Sequence, residues 1–283
     1  PDCLVTVDYP GFNMKLAKLA HEKGIPVVSY IAPSAWAWHK SRAKNVAKIV
    51  DKVASIFPFE YDVYKEAGAN VEFVGHPLVD IVKPKMTEAE ANTFAGKQDD
   101  RKLILIMPGS RLMEIEKMLP TLLEAAKLIK KQLPEVDFVM PRAGSIPLQM
   151  LEEKIKASGI SVKITEGNNY DLFSVADLAL ATSGTVTLEA ALCGLGSVIV
   201  YRTNPLTYFI AKLVVNIPHI GLPNIVAGKS VLPELIQDDF TPEKVAKEAM
   251  SLLERERNAK MKEDLAYIKE RLGKPGAVGR VAE

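Results

Sequence analysis

Two short stretches of the chain combine the residue types that bind anions. Pro108-Gly109-Ser110-Arg111 follows an apolar run at 103–107 and precedes a segment of helical period containing Glu114. Gly109 permits close backbone approach to a ligand, and Ser110 suits the cap of a helix whose free N–H groups attract negative charge. Arg111 adds a charge-assisted donor suited to phosphate. The same four residues also make an ordinary capped turn with a surface arginine. Ser183-Gly184-Thr185 repeats the pattern after the apolar run 178–181. Glu189 lies four residues after Thr185, on the same face of the expected helix, among Val186, Leu188, Ala190, Ala191 and Leu192. A carboxylate in such surroundings needs a partner or a ligand, for instance two ribose hydroxyls; if that face is exposed, Glu189 is a surface residue.

Two anion-friendly loops together suggest a nucleotide diphosphate. The sequence has no Walker A motif, Gly-rich dinucleotide fingerprint or DxD pair. Helix termini and arginine are therefore expected to meet the diphosphate charge, with no metal and no cofactor.

Asp8 ends the first apolar run, in Val7-Asp8-Tyr9-Pro10-Gly11-Phe12-Asn13. A carboxylate at the rim of a low-dielectric cleft has a raised pKa and suits a general base; a turn-capping role is the alternative. His76, in Gly75-His76-Pro77-Leu78, is either a catalytic group or a hinge residue, and Asn13 and Arg202 are further candidates for a cleft or hinge. Both tryptophans, Trp36 and Trp38, stand in Pro33-Ser34-Ala35-Trp36-Ala37-Trp38, with Lys40, Arg42, Lys44 and Lys48 close behind. The pair reads better as a loop anchor than as a membrane patch, while the basic helix leaves both readings open.

The elements that must position these groups alternate. Strands are expected at 4–7, 26–31, 53–57 and 71–74, with helices at 12–23, 41–50 and 61–67 between them. A charged stretch at 83–101, with a short helix at 88–95, is the linker candidate. A second series follows: strands at 103–107, 137–140, 162–165, 178–181 and 196–200, and helices at 113–132, 147–157, 169–176 and 185–193. Two charged helices fill 241–272. Such alternation makes α/β domains with doubly wound parallel sheets. The expected division is 1–96 and 97–283. Open α/β sheets bind ligands beyond the carboxyl ends of their strands.

Composition narrows the class further. The 283 residues are 48% hydrophobic and 25% charged, which excludes a disordered chain. Lys and Arg number 36 against 35 Asp and Glu, for a net charge of +1, so no nucleic-acid partner is expected. Two cysteines, Cys3 and Cys193, make no disulfide framework and fit a reducing cytosol. No apolar run approaches the roughly 18 residues of a membrane span.

Taken in order, VDYPGFN (7–13), PSAWAW (33–38), FPFE (57–60), FVGHPL (73–78), MPGSR (107–111), SGTVTLE (183–189), YR (201–202), GLPNIVAG (221–228) and PEL (233–235) cover nearly the whole chain. This set resembles the lipid-A-disaccharide synthases, bacterial glycosyltransferases of GT-B architecture. The resemblance implies two Rossmann-like domains facing across a cleft. It also implies transfer of a glucosaminyl unit from UDP-2,3-diacylglucosamine to the 6-hydroxyl of 2,3-diacylglucosamine 1-phosphate (lipid X), releasing UDP. It places Arg111 and Ser110 at the diphosphate, Glu189 at the ribose, Asn224 near the phosphates and Asp8 as the base that activates the acceptor. A peripheral position on the cytoplasmic face of the inner membrane is implied too, and a homodimer is one expectation. The family's chain starts earlier than Pro1. By the size of strand-helix-strand units about 80–90 residues of the first domain are expected to be missing, and with them part of the active site and most of the membrane-contacting region. Rival readings are another GT-B UDP-sugar enzyme (a UDP-N-acetylglucosamine 2-epimerase or the peptidoglycan glucosaminyltransferase) and an inactive UDP-binding fragment.

Overall fold

The computed structural model describes the chain apart from residues 36–39, 99, 205–207 and 209–217 and the side chain of Lys40. Trp36 and Trp38 thus lie outside the described residues. The chain forms two compact units, Pro1–Ile81 with Glu270–Glu283, and Val82–Tyr208 with Pro218–Lys269.

In the first unit β1 (Leu4–Val7), α1 (Pro10–Glu22), β2 (Val27–Tyr30), α2 (Lys40–Ile49), β3 (Lys52–Ser55), α3 (Pro58–Glu66), β4 (Val71–Phe73) and α4 (Leu78–Ile81) follow one another. The sheet is parallel, in the order β1-β2-β3-β4, and winds in one direction. Alanines at helix positions, Ala17, Ala20 and Ala43, let the helices lie close on Val27 and Val53, with Tyr64 filling the remaining space. The Tyr64 hydroxyl donates to the carbonyl of Pro33 at 2.5 Å. β1 is an edge strand, and its Val5 and Val7 are 56% and 52% exposed.

The second unit begins with α5 (Glu88–Ala95), β5 (Lys102–Met107), α6 (Leu112–Gln132), β6 (Val136–Arg142), α7 (Leu148–Ser158) and β7 (Lys163–Glu166). It continues through α8 (Asn169–Val175), β8 (Leu178–Thr182), α9 (Thr185–Leu192), β9 (Ser197–Tyr201), α10 (Leu222–Ala227), β10 (Glu234–Ile236), α11 (Pro242–Leu253) and α12 (Arg255–Arg271). The strand order is β10-β9-β8-β5-β6-β7, and every pairing is parallel. Leu103, Ile104, Leu105 and Ile106 are completely buried, because helices cover both faces of the sheet. The winding reverses between β5 and β8, where Met107 pairs with Ala181. Loops that leave such neighbours in opposite directions open a crevice between them.

The division differs from the expected 1–96 and 97–283, and packing gives the reason. Ala91 and Ala95 of α5 enter the core that holds Leu103, Leu172 and Phe173. Asp171 Oδ1 accepts from the backbone N–H groups of Lys85 and Met86 at 2.6 and 2.7 Å. The supposed linker at 83–101 therefore belongs to the second unit. The last helix, α13 (Ala277–Ala282), belongs to the first. There Asp80 accepts from the Gly276 N–H at 2.9 Å, and Arg280 Nε donates to the Val74 carbonyl at 2.8 Å.

Candidate nucleotide site

The crevice between β5 and β8 holds a cavity of about 400 Å³. Met107 and Thr182, the last residues of those strands, form part of its wall. Gly109, Ser110, Arg111, Ser183, Gly184, Thr185 and Glu189 all border it, with Glu114 and Asn169. Seven residues singled out from two separated loops thus surround one space, because their strands are neighbours in the sheet.

The two loops differ in how their N–H groups are used. Helix α6 is not capped by Ser110. Its N-cap is Arg111, and Glu114 reaches back to it. Glu114 Oε2 accepts from the N–H groups of Ser110 and Arg111 at 2.9 and 3.2 Å, and Oε1 accepts from Arg111 Nη1 at 3.0 Å. Gly109 has φ +117°, and a Cβ there would fall 2.4 Å from Glu114 Oε2. Only glycine allows this close crossing. Ser110 is tied further by its carbonyl, which accepts from Ser145 Oγ at 2.8 Å. Helix α9 follows Gly184 with no side-chain cap; the Thr187 N–H donates to the Gly184 carbonyl at 3.2 Å, and Gly184, Thr185 and Val186 border the cavity with no side chain capping their N–H groups. Ser183 Oγ donates to the Ile220 carbonyl at 3.1 Å. The Arg111 side chain is 82% exposed and paired with Glu114.

Glu189 is half-buried, and burial raises its pKa against the opposing effect of a hydrogen bond from Tyr170. The Tyr170 hydroxyl donates to Glu189 Oε1 at 3.2 Å. Burial and the neighbouring carboxylate push Tyr170 up to about 12. Neither Tyr170 nor Glu114 was a sequence candidate. The sequence carried no signal for Glu114, because an arginine at the N-cap cannot accept as the Ser or Thr of a capping box does, and only the reach of Glu114 back to the Ser110 and Arg111 N–H groups shows its role.

Asn224 is not at the cavity. It is fully buried, and its amide is used up within the fold. Nδ2 donates to the Leu232 carbonyl at 2.8 Å and to Glu234 Oε1 at 2.6 Å, and Oδ1 accepts from the N–H groups of Val231 and Leu232. Glu234 in turn accepts from the N–H groups of Ile220 and Gly221. The pair fixes the loop whose Ile220 carbonyl receives Ser183. Arg202 is likewise a clamp and does not border the cavity. Its guanidinium lies 4.8 Å from the Phe240 ring centroid and donates to the Phe240 and Gln237 carbonyls.

Asp8 and Asn13 belong to the first unit. Asp8 is exposed at the carboxyl end of β1, in the left-handed region with φ 49°, and Tyr9 follows at φ 42°. His76 is buried, and its Nδ1 accepts from the Leu78 N–H at 3.1 Å at the start of α4. Its ring lies 4.8 Å from that of Phe57, and burial pushes its pKa down to about 4. His76 is therefore neutral, with its proton on Nε2.

Among the described residues no helix is long and apolar enough to cross a membrane, and no group of three His, Cys, Asp or Glu side chains is placed to hold a metal ion.

A family model described as lipid-A-disaccharide synthetase matches residues 1–277. The lipid-A-disaccharide synthase of Geobacter sulfurreducens is 43% identical over the whole chain, which spans 74% of that protein. That of Nitrosococcus oceani is 42% identical, again over the whole chain and 73% of its own length. Among solved structures, UDP-GlcNAc 2-epimerase from Neisseria meningitidis bound to UDP-GlcNAc superimposes with a TM-score of 0.68 at 16% identity, covering all of this chain and 75% of that one. WaaG, a glycosyltransferase involved in lipopolysaccharide biosynthesis, does so with a TM-score of 0.50 at 12% identity, over 94% and 95% of the two chains. The two parallel α/β units have the GT-B fold. With the family model running almost from end to end, the chain belongs to the lipid-A-disaccharide synthetase family, glycosyltransferases that make the lipid A disaccharide.

Proposed function

We propose that the cavity between β5 and β8 binds the UDP of UDP-2,3-diacylglucosamine, whose sugar is transferred to the 6-hydroxyl of lipid X. The observation that carries this reading is the gathering of Gly109, Ser110, Arg111, Ser183, Gly184, Thr185 and Glu189 around one cavity at the reversal of the sheet. Arg111 and the uncapped N–H groups of α9 meet the diphosphate, and Glu189 accepts from the ribose hydroxyls. Asp8 takes the proton of the acceptor hydroxyl as the new bond to the anomeric carbon forms. The bond from that carbon to the UDP oxygen breaks, and the negative charge released on the β-phosphate is held by Arg111 and the helix dipole of α9. Asn13 and His76 support the first unit and touch neither substrate. Both substrates carry acyl chains, so the enzyme works peripherally at the cytoplasmic face of the inner membrane, and a homodimer is its proposed assembly.

The test is transfer of radiolabel from UDP-2,3-diacylglucosamine to lipid X with matched release of UDP. A labelled disaccharide 1-phosphate is expected. Release of UDP without disaccharide, or epimerisation of UDP-N-acetylglucosamine in its place, would refute the reading.

A further inference from the structure

Glu189 has two carboxylate oxygens and, among the described residues, one hydrogen-bond partner. Oε1 receives the Tyr170 hydroxyl at 3.2 Å, while the residue itself borders the cavity. Tyr170 does not border the cavity. Its ring packs edge-on against Phe173, with centroids 6.2 Å apart and planes at 61°, and Phe173 is almost completely buried in the core under the sheet. The tyrosine is thus fixed at one end by the core and holds the carboxylate with the other. We propose that Tyr170 is a positioning residue that orients Glu189 so that its second oxygen meets the vicinal diol of the bound nucleotide's ribose. This inference rests on the reading of Glu189 as the ribose acceptor.

The chemistry explains why such a holder is needed. A half-buried carboxylate without a donor either turns away or takes up a proton, and a protonated acid is a weaker acceptor for a hydroxyl pair. The Tyr170 hydrogen bond opposes the rise that burial imposes on Glu189. Other titratable groups near Glu189 are Cys193, one turn along α9, and Arg111 and Glu114, which border the same cavity. Helix α10, which packs on α9, carries no titratable residue.

The test is calorimetry on this chain with UDP and with 2′,3′-dideoxy-UDP, across pH. The wild type is expected to prefer UDP, and Glu189→Gln to abolish most of that preference. Tyr170→Phe, which keeps the packing on Phe173, is expected to reduce the preference roughly three- to tenfold, the worth of one hydrogen bond. Binding of 2′,3′-dideoxy-UDP should be unchanged, and the loss of UDP affinity on acidification should begin at a higher pH. A structural role alone would weaken both nucleotides alike and leave the pH profile in place, which would overturn the proposal. Retained preference in Tyr170→Phe but not in Glu189→Gln would overturn only the role of Tyr170. A wild type indifferent to the diol would overturn the ribose reading and the inference with it.

Discussion

Asn13 holds the backbone of Asp8: its Nδ2 donates to the carbonyl of Asp8 at 2.7 Å and to that of Val7 at 3.1 Å. Asp8 and Tyr9 are consecutive non-glycine residues with positive φ, and each such residue stores strain of order 1–3 kcal/mol. Asn13, in the first turn of α1, offsets that strain. Asn13→Ala is expected to lower the transfer rate by roughly tenfold, the worth of one or two hydrogen bonds, with UDP affinity unchanged. Steady-state kinetics beside calorimetry measures both.

Asp8→Asn removes the proposed base and keeps the size and the backbone. The turnover number is expected to fall by about 10²–10⁴, the usual contribution of a positioned base. UDP binding should be untouched, since the cavity belongs to the second unit. A mutant with near-normal turnover would exclude Asp8.

Arg111 and Asn224 should separate cleanly. Arg111→Ala is expected to weaken UDP by about 1.5–3 kcal/mol, the range for hydrogen bonds to charged groups, with little change in the melting temperature of a residue so exposed. Asn224→Ala strands the buried N–H of Leu232 and the partly buried N–H of Val231 and should cost roughly 2–4 kcal/mol of stability. Thermal melts and UDP titrations of both variants check the contrast. Added EDTA should leave UDP binding unchanged if Arg111 and α9 meet the charge.

His76 makes the first unit sensitive to acid. Its pKa lies at about 4 in the fold against 6.5 in a free chain. The unfolded chain therefore binds the proton first, so the stabilisation is complete above pH 6.5 and is lost as pH falls toward 4. The size is roughly 3 kcal/mol. Urea unfolding between pH 7 and 4 should show this loss, and in His76→Asn, which retains an acceptor for the Leu78 N–H, this part of the pH dependence should be absent.

The exposed edge of the first sheet should associate. Val5 and Val7 on β1 are 56% and 52% exposed, and Phe12 and Leu19 of α1 are 58% and 56% exposed. An open parallel strand with apolar side chains is a template for pairing. Light scattering of this chain is expected to show self-association that Val7→Lys reduces. Equal scattering by both proteins would locate the contact elsewhere.

The long elements of this protein were legible in the residues themselves. Runs such as 103–107 and amphipathic stretches such as 113–132 carry several turns or a whole strand of one period, and their ends moved by three residues at most. Of the short elements, α4, α10, β10 and α13 were not expected, having too few repeats for a period to register and no apolar run bounded by turn residues to mark them. The two anion loops could be found singly, from glycine and small polar residues after a strand. That they face one cavity was decided by strand order, which depends on contacts between β5 and β8 more than seventy residues apart. Tertiary structure also divided the polar residues by use. Asn224 and Arg202 share residue types with binding groups, yet buried carbonyls and N–H groups around them must be paired, and that demand claimed both side chains. Tyr170, an unremarked aromatic in a short helix, came to the site only because α8 packs beside α9 and brings its hydroxyl to Glu189.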